Sequence, residues 1–398
     1  MSSILLSVRC SRWSLLLAAV LLIGGASAGL RTSSTHASPS AAGSPIKVGF
    51  FAPETGFAAA DGTSALNSAK LAVSKINKGG GIGSRKITLV NYDDGSDAKQ
   101  AAAIATKLVT QDNVTAVVSG SYSDQTLASA PIFQRNKTPM LASYAVNPGI
   151  PKAGSYIFQQ DFNGTVEGRA GAWALIHDLH GKKIGIVSIN NDFGTSLVKG
   201  FTEEARKLHA TIVGTDYNQF GEKDFTPVIN RDLGKGANGF YMVEYTAEGL
   251  TFVHNYHTVR AKKPVVGTEG LDSETQFVEI AGAAANGIVI TSSFDRSSKS
   301  KQTVQYMSSY RRAYGHNPDM VGATVYDAFM LEAHAMHGGT SADQIRAAIA
   351  GTKNFHGITG RILRYSGGQA VKPVQLVLFR NRAFHRYGVV NQASLIQP

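Results

Sequence analysis

The sequence predicts an α/β protein of two doubly wound lobes with parallel sheets, and three observations support this prediction. From residue 46 onward, short apolar runs of strand length alternate with longer segments of helical period. The runs are apolar throughout, which is typical of parallel strands covered on both faces. The succession occurs twice, over 46–162 and 182–294, and a single sheet of that many strands would be unusually wide.

Each element follows from its own pattern. The apolar runs predict strands at 46–51, 86–92, 115–120, 139–144, 182–189, 211–217, 239–245, 264–269 and 287–294. Amphipathic segments between them predict helices at 64–78, 97–111, 168–180, 196–209 and 246–260. Beyond residue 294 the pattern predicts three helices and two strands, at 301–314, 321–337, 341–350, 361–365 and 374–380. These later elements must join one lobe or the other, so the chain crosses between the lobes several times.

The N-terminus has the pattern of a secretory signal peptide at 1–28, followed by a Ser- and Ala-rich leader at 29–45. Arg9 and Arg12 precede an apolar run that is shorter than a membrane span, and a small-residue cleavage site ends near Ala28. An uncleaved N-terminal anchor is the alternative. Cleavage removes both arginines and the only cysteine, which lowers the formal net charge from +11 to +9 and excludes disulfides. We expect a protein of the bacterial periplasm.

The domain prediction places 46–163 and 295–357 in the first lobe, and 164–294 and 358–398 in the second. Two lobes leave a cleft between them. In open α/β sheets, ligands bind beyond the carboxyl ends of the strands, so the loops that face the cleft are the expected site of function.

Enzyme signatures are missing from the sequence. It contains no HExxH, GxSxG or Walker motif, and its Gly79–Gly83 cluster follows a helix, where a phosphate loop would precede one. Three histidine pairs have helical spacing but lack an acidic third ligand: His177 with His180, His254 with His257, and His334 with His337. The basic residues are scattered. We therefore predict neither an enzyme nor a nucleic-acid-binding protein, and we expect no metal and no cofactor.

Two strand-end loops carry suitable chemistry for a small charged solute. Ser121, Tyr122 and Ser123 follow the strand at 115–120 and precede a helix, whose first amide groups and dipole favour an anion such as a carboxylate. Ser123 capping its own helix is the alternative. Glu269 and Tyr245 end two strands of the second lobe, where an acid and a phenol suit an ammonium group. Their alternative is to be ordinary surface loop residues.

The chain from 46 to 380 resembles the periplasmic branched-chain amino-acid-binding proteins of ABC importers, the leucine-binding type of type I solute-binding protein. Several segments carry the resemblance in the family's order and spacing: the long stretch from IKVGFFAPETG to YDDGSDAKQ, then INNDFGTSLVKGF, GEKDFTPVI and GTEGLDS. The resemblance implies two Rossmann-like lobes joined by three hinge crossovers. It also implies a monomer that closes on an amino acid or related solute and delivers it to an ABC permease in the inner membrane.

The resemblance further implies a set of ligand-binding residues. The family's carboxylate-binding serine corresponds to Ser123, beside Ser121 and Tyr122. The remaining positions implied are Tyr144, Ala145 and Val146 in the first lobe, and Phe193, Tyr245 and the ammonium-binding Glu269 in the second.

Three positions depart from the leucine-binding pattern. Val146 replaces a threonine that helps to hold the ammonium, Asp61 replaces an aromatic residue over the side-chain pocket, and Tyr144 replaces a small residue at its floor. Valine cannot form that hydrogen bond, and a phenol reshapes the pocket. A binding protein for aromatic acids, amides or urea-like solutes, and a sensory module, are therefore alternatives.

Overall fold

A computed structural model describes residues 43–398, so the predicted signal peptide and the leader up to residue 42 lie outside the described part. The strands are β1 Ile46–Ala52, β2 Ile87–Asp93, β3 Ala116–Ser119, β4 Met140–Ala142, β5 Ile157–Gln159, β6 Lys183–Ile189, β7 Thr211–Asn218, β8 Gly239–Val243, β9 Val265–Gly267, β10 Val289–Ser292, β11 Lys353–Gly357, β12 Gly360–Ser366, β13 Gln369–Val371, β14 Val374–Arg380 and β15 Ala383–Val390.

The helices are α1 Ala59–Lys78, α2 Ala98–Thr110, α3 Ser123–Arg135, α4 Gly164–Ala172, α5 Asp192–Lys207, α6 Thr226–Gly234, α7 Thr246–Thr258, α8 Lys301–Tyr314, α9 Met320–Met336, α10 Ala342–Ala350 and α11 Ala393–Ile396. Short 3-10 turns lie at Ile150–Ala153, Glu269–Leu271 and Gly282–Ala285, and π-helical stretches lie at Trp173–Asp178 and Glu274–Val278.

The strands form two sheets, which confirms the predicted two-lobed α/β fold. The strand order is β11-β12-β13-β5-β4-β3-β1-β2 in the first sheet and β15-β14-β10-β9-β8-β6-β7 in the second. Strands β1 to β5 pair in parallel with one another in the first sheet, and strands β6 to β10 do so in the second, as predicted. Both sheets are nevertheless mixed, because the late strands β12, β14 and β15 pair antiparallel with their neighbours at one edge.

Each sheet is covered by helices on both faces, which explains the continuous apolar runs. In β1, the side chains of Val48 and Phe50 pack into a core with α1 and α9, whereas Phe51 packs on the opposite face with α2 and α3. The second sheet is likewise enclosed, by α4 and α5 on one face and by α6 and α7 on the other. A strand that is buried on both faces has apolar side chains on both, so its sequence does not alternate between polar and apolar residues.

Glycine explains the close packing of α4 on α5. A Cβ atom on Gly168 would lie 2.1 Å from the carbonyl oxygen of Leu197, and one on Gly200 would lie 2.2 Å from that of Thr165. Any larger residue at either position would push the two helices apart.

The chain crosses between the lobes at 160–163, 293–300 and 372–373. The predicted boundaries after residues 163 and 294 stay a prediction. The predicted boundary after residue 357 is wrong, because it assigned 358–398 to the second lobe, whereas β12 and β13 belong to the first sheet. The physical reason is a hairpin: β12 pairs antiparallel with both β11 and β13, and β13 pairs with β5, so the chain stays in the first lobe until residue 371.

One buried cluster, which we call the hinge cluster, ties the three crossings together. It consists of Asp161, Ser293 and Lys372, one residue from each crossing. The Asp161 carboxylate lies 3.2 Å from the Lys372 ammonium and accepts a hydrogen bond from the Ser293 hydroxyl. The Lys372 ammonium also donates to the Thr359 hydroxyl at 3.1 Å. The side chains of Lys372 and Asp161 are 0% and 1% exposed, so this ion pair is fully inside the protein.

Candidate functional site

A small cavity lies between the lobes, at the carboxyl ends of the strands of both sheets. The space it leaves for water molecules is about 30 Å³. Eight of the nine residues predicted for the site line it: Tyr122, Ser123, Tyr144, Ala145, Val146, Phe193, Tyr245 and Glu269. The other lining residues are Asp61, Gly270, Met320 and Val321. The structure thus brings the predicted residues of the two lobes together, and their role in binding stays a prediction.

The first lobe offers the start of α3 to the cavity. This helix begins at Ser123, directly after the loop that follows β3, and no side chain of residues 43–398 caps its first turn. The Ser123 hydroxyl instead accepts a hydrogen bond of 3.2 Å from the backbone N–H of Asn147. Ser123 therefore does not cap its own helix, and the first N–H groups of α3 are left for another acceptor.

The second lobe offers Glu269, which follows β9. This side chain is only 4% exposed, so the alternative that it is a surface loop residue is wrong. Its Oε2 atom is buried and has no hydrogen-bond partner among the described residues. Several other buried carboxylate oxygens of the described residues are also unpaired, among them Oε2 of Glu167, but of these acids only Glu269 lines the cavity. At a cavity wall, such an atom indicates a place for a donor that a ligand would bring.

A second buried glutamate stands behind Glu269. The Oε1 atom of Glu167 accepts hydrogen bonds from the backbone N–H of Glu269, at 3.0 Å, and from the Thr291 hydroxyl, at 2.6 Å. Burial, followed by the nearby charge of Glu167, raises the pKa of Glu269 well above its ordinary value, although Lys372 acts in the opposite direction. Burial likewise raises the pKa of Glu167. The two acids therefore favour a protonated pair until a cation approaches.

Stacked aromatic rings form one wall of the cavity. The rings of Tyr122 and Tyr245 come from different lobes and are nearly parallel, with centroids 4.7 Å apart. Phe193 stacks on Tyr245 at 4.9 Å. The Tyr245 hydroxyl accepts a hydrogen bond of 3.3 Å from the side-chain amide of Asn191. Because these stacks join residues of both lobes, the structure is that of a closed cleft.

A further aromatic pair lies at the mouth of the cleft. Phe57 of the first lobe packs on Phe220 of the second with ring centroids 4.6 Å apart, although the two residues are 52% and 45% exposed. Nearby, the Asn147 side-chain amide donates to the backbone carbonyl of Asp192 across the cleft at 3.1 Å. Both contacts would break if the lobes separated.

The residues that line the cavity differ from the predicted set in two respects. Ser121 is fully buried and does not line the cavity, so the structure places it behind the site. Gly270, Met320 and Val321 line the cavity without having been predicted. Met320 and Val321 begin α9, which Asp319 caps, and nothing in the local sequence links this helix start to the cleft.

The histidine pairs stay apart from the cavity. His177 lies against Asp178 at 2.7 Å and stacks on Trp173, while His334 and His337 are exposed beside His356 in a surface groove of about 390 Å³. Within residues 43–398, no group of three or more His, Cys, Asp or Glu side chains has an arrangement that could hold a metal ion. Likewise, none of the helices in that part of the chain has the length and apolar character to span a membrane.

Comparison with known sequences identifies relatives of this chain. The Leu/Ile/Val-binding protein BraC3 of Rhizobium johnstonii is 28% identical over 251 residues, which cover 63% of this chain and 68% of that protein. The leucine-specific-binding protein of Salmonella typhimurium is 27% identical over 270 residues, or 67% of this chain and 73% of that one.

Solved structures share the fold. The branched-chain amino-acid substrate-binding protein LivJ of Streptococcus pneumoniae, solved with isoleucine, is 29% identical, has a TM-score of 0.81 and covers 87% of this chain and 99% of its own. A solute-binding protein of Rhodopseudomonas palustris, solved with 3,4-dihydroxybenzoic acid, is 20% identical with a TM-score of 0.78 over 88% of this chain and 99% of its own, a likeness of fold alone. The sequence pattern of one family, described as periplasmic binding protein, matches residues 45–382. The chain therefore belongs to the periplasmic binding protein family.

Proposed function

We propose that this protein is an extracytoplasmic solute-binding receptor of an ABC importer, which captures a small zwitterion, an amino acid of the branched-chain or a related type. One observation carries the proposal: the uncapped start of α3 in one lobe and the unpaired Glu269 carboxyl in the other line a single cavity. An amino acid has the matching ends, a carboxylate and an ammonium. The relatives whose names give leucine, isoleucine or valine as ligands support this assignment.

Capture follows from hinged closure. A solute that touches both lobes binds the closed state better than the open one and shifts the equilibrium by that difference in affinity. Ser123 belongs to the first lobe and Glu269 to the second, so full binding requires both ends of one molecule. A ligand without its ammonium would leave Glu269 unpaired, at a cost of about 1–3 kcal/mol. The ligand leaves unchanged, because the protein acts as a receptor and not as a catalyst.

Binding of an ammonium should be linked to proton release. In the unliganded closed cavity the raised pKa of Glu269 favours its protonated form. An ammonium stabilises the carboxylate and lowers that pKa. We therefore expect affinity to increase with pH until Glu269 ionises without the ligand, and the binding enthalpy to depend on the ionisation enthalpy of the buffer.

The wider role follows from the family. We propose that the protein works in the periplasm as a monomer and delivers its solute to an ABC permease of the inner membrane, without a cofactor. The closed arrangement of the lobes is the form that a permease would recognise, because it differs from the open form over the whole cleft mouth.

Titration calorimetry on Glu269→Gln tests the proposed ligand class. The twenty amino acids are first screened for thermal stabilisation, and the tightest ligand is compared with its 2-oxo acid, which lacks the amine. We expect Glu269→Gln to weaken the amino acid at least tenfold and to change the 2-oxo acid far less. Glu279→Gln, an exposed acid in the same lobe, is the matched control. Equal affinity of the variant and the wild type for every amine ligand would contradict the assignment.

An aromatic carboxylate is the second candidate, and the parallel rings of Tyr122 and Tyr245 favour it. Such a ligand would use the start of α3 for its carboxylate and the rings for its apolar part. Benzoate and 4-hydroxybenzoate added to the same screen separate the two candidates. An aromatic acid has no ammonium, so its affinity should be insensitive to Glu269→Gln.

A further inference from the structure

A second carboxyl group, that of Asp61, lines the cavity. This residue lies in the first turn of α1. The close approach of the next residue fixes its position, because a Cβ atom on Gly62 would lie 2.0 Å from the carbonyl oxygen of Pro53. The Asp61 carboxyl therefore stands on a helix start that has little freedom to move.

The two phenol hydroxyls near Asp61 already donate their protons in hydrogen bonds. The Tyr122 hydroxyl donates its proton to Oδ2 of Asp61, and the Tyr144 hydroxyl donates to the backbone carbonyl of Gly120 at 2.7 Å. Each phenol has one proton to give. Met320 and Val321, which also line the cavity, are apolar and do not compete for the remaining acceptor capacity of Asp61.

The charges around the cavity are negative. None of its twelve lining residues in the described chain is Lys, Arg or His, whereas Asp61 and Glu269 are both acids. Two further acids act on Asp61 from behind. Asp319 is held by the Ser64 hydroxyl at 2.5 Å and by the N–H of Gly322, and Asp272 is paired with Arg296.

These neighbours leave Asp61 as an acid in need of a donor. Burial, followed by the charge of Asp319, raises the pKa of Asp61 to about 7. Asp319 and Asp272 already have hydrogen-bonding partners, but within residues 43–398 only Tyr122 bonds to the Asp61 side chain. A ligand group with N–H donors or a positive charge would supply what the protein does not.

We propose that Asp61 selects amino acids whose side chain carries a nitrogen donor, an amine or a carboxamide, over amino acids with a purely alkyl side chain. This inference rests on the proposed function, in which Ser123 and Glu269 hold the two ends of the amino-acid backbone. The side chain of a ligand held in that way must lie toward the other lining residues, among them Asp61, Tyr144 and Met320. Because the closed cavity leaves only about 30 Å³, the lobes must separate enough to admit the ligand. A branched alkyl group there would cover the Asp61 carboxyl without pairing it, and that is unfavourable.

Two nearly isosteric ligand pairs test the proposal by titration calorimetry: asparagine against leucine, and 2,4-diaminobutyrate against norvaline. We expect the wild-type protein to bind the nitrogen-bearing member of each pair at least tenfold more tightly. Asp61→Leu should reverse the order, with a gain for leucine. Asp61→Asn, which keeps the shape and the contact with Tyr122, should weaken 2,4-diaminobutyrate at least tenfold even if the leucine variant does not fold.

Glu54→Gln is the control, since Glu54 is an acid of the same lobe outside the cavity. Wild-type preference for leucine and norvaline, or an unchanged order in a folded Asp61→Leu variant, would overturn the selection by Asp61. If leucine is preferred and Glu269→Gln still abolishes its binding, the proposed function stands and this inference fails. If the wild-type protein binds no amino acid, the proposed function fails and this inference fails with it.

Discussion

The hinge cluster and the cleft cavity both bury ionisable side chains between the lobes, but they differ in how those side chains are paired. In the hinge cluster, Asp161 has an ammonium, a hydroxyl and a backbone N–H as partners. In the cavity, one carboxylate oxygen of Glu269 has no partner among the described residues. The charged groups of the hinge cluster thus pair with each other and hold the chain crossings together. The cavity instead contains polar groups that a bound ligand could pair.

This difference predicts opposite effects for substitutions in the two regions. Removing one partner of a buried ion pair leaves the other charge buried without a counter-ion, which destabilises the fold. Removing a buried acid that has no partner relieves a penalty, so the unliganded protein should become more stable while ligand binding is lost. Substitutions in each region and at the cleft mouth test this difference.

The largest expected effect is that of Lys372→Met in the hinge cluster. The substitution leaves the Asp161 carboxylate buried without its counter-ion, and we expect the free energy of unfolding to fall by about 3–5 kcal/mol. Urea unfolding at pH 7 measures the change. The double variant Asp161→Asn/Lys372→Met should regain much of the lost free energy of unfolding, because it contains no unpaired buried charge at this place. A single variant as stable as the wild type would show that the pair does not hold the crossings.

Glu269→Gln should raise the stability of the unliganded protein at pH 8. Burial raises the folded-state pKa of Glu269 above the ordinary value of 4.5. The penalty of burying this acid is therefore absent below pH 4.5, where it is protonated in both the folded and the unfolded chain, and it grows as the pH rises toward the raised value. Unfolding of the wild type and the variant at pH 4 and pH 8 tests this sign, since the two should nearly coincide at pH 4. A variant that is less stable at pH 8 would mean that the carboxylate has a stabilising partner.

The smallest effect is expected at the cleft mouth, for Phe220→Ala. Loss of its stacking on Phe57, a contact between the lobes, removes about 0.5–1.5 kcal/mol from the closed state. Its stacking on Tyr245 lies within the second lobe and is lost in both states. Because closure retains the ligand, the dissociation rate should increase severalfold. Stopped-flow measurements give the rate. Tyr217→Ala, another exposed aromatic of the same lobe that is 46% exposed, is the control and should leave the rate unaltered.

The sequence allowed most of the fold to be predicted, because buried parallel strands are visible as uninterrupted apolar runs. The strands that were missed have specific reasons. The apolar runs of β5 and β13 are short and lie between polar residues, β11 is largely exposed, and β15 is interrupted by His385 and Arg386. The error at residues 358–371 arose because membership of a sheet depends on pairing with β5, some two hundred positions earlier in the chain, which local pattern does not report.

The cavity-lining residues could be predicted where a side chain of suitable chemistry follows the end of a strand. Ser123, Tyr245 and Glu269 follow strands of the two sheets, so topology alone points to them, and the family resemblance supplied Tyr144, Val146 and Phe193. Met320 and Val321 were missed because they reach the cavity from a helix start, through packing that has no local signature. The state of Glu269, buried and unpaired, depends on the closed lobes and is visible only in three dimensions.

The late hairpins have a consequence for how the chain is made. Strand β13 covers the edge of β5 in the first sheet, and β14 covers the edge of β10 in the second. A polypeptide that is still being synthesised or exported therefore cannot complete either sheet until the residues after 369 have emerged. A truncation before that point would leave two open strand edges at once, and unpaired edges of that kind template aggregation.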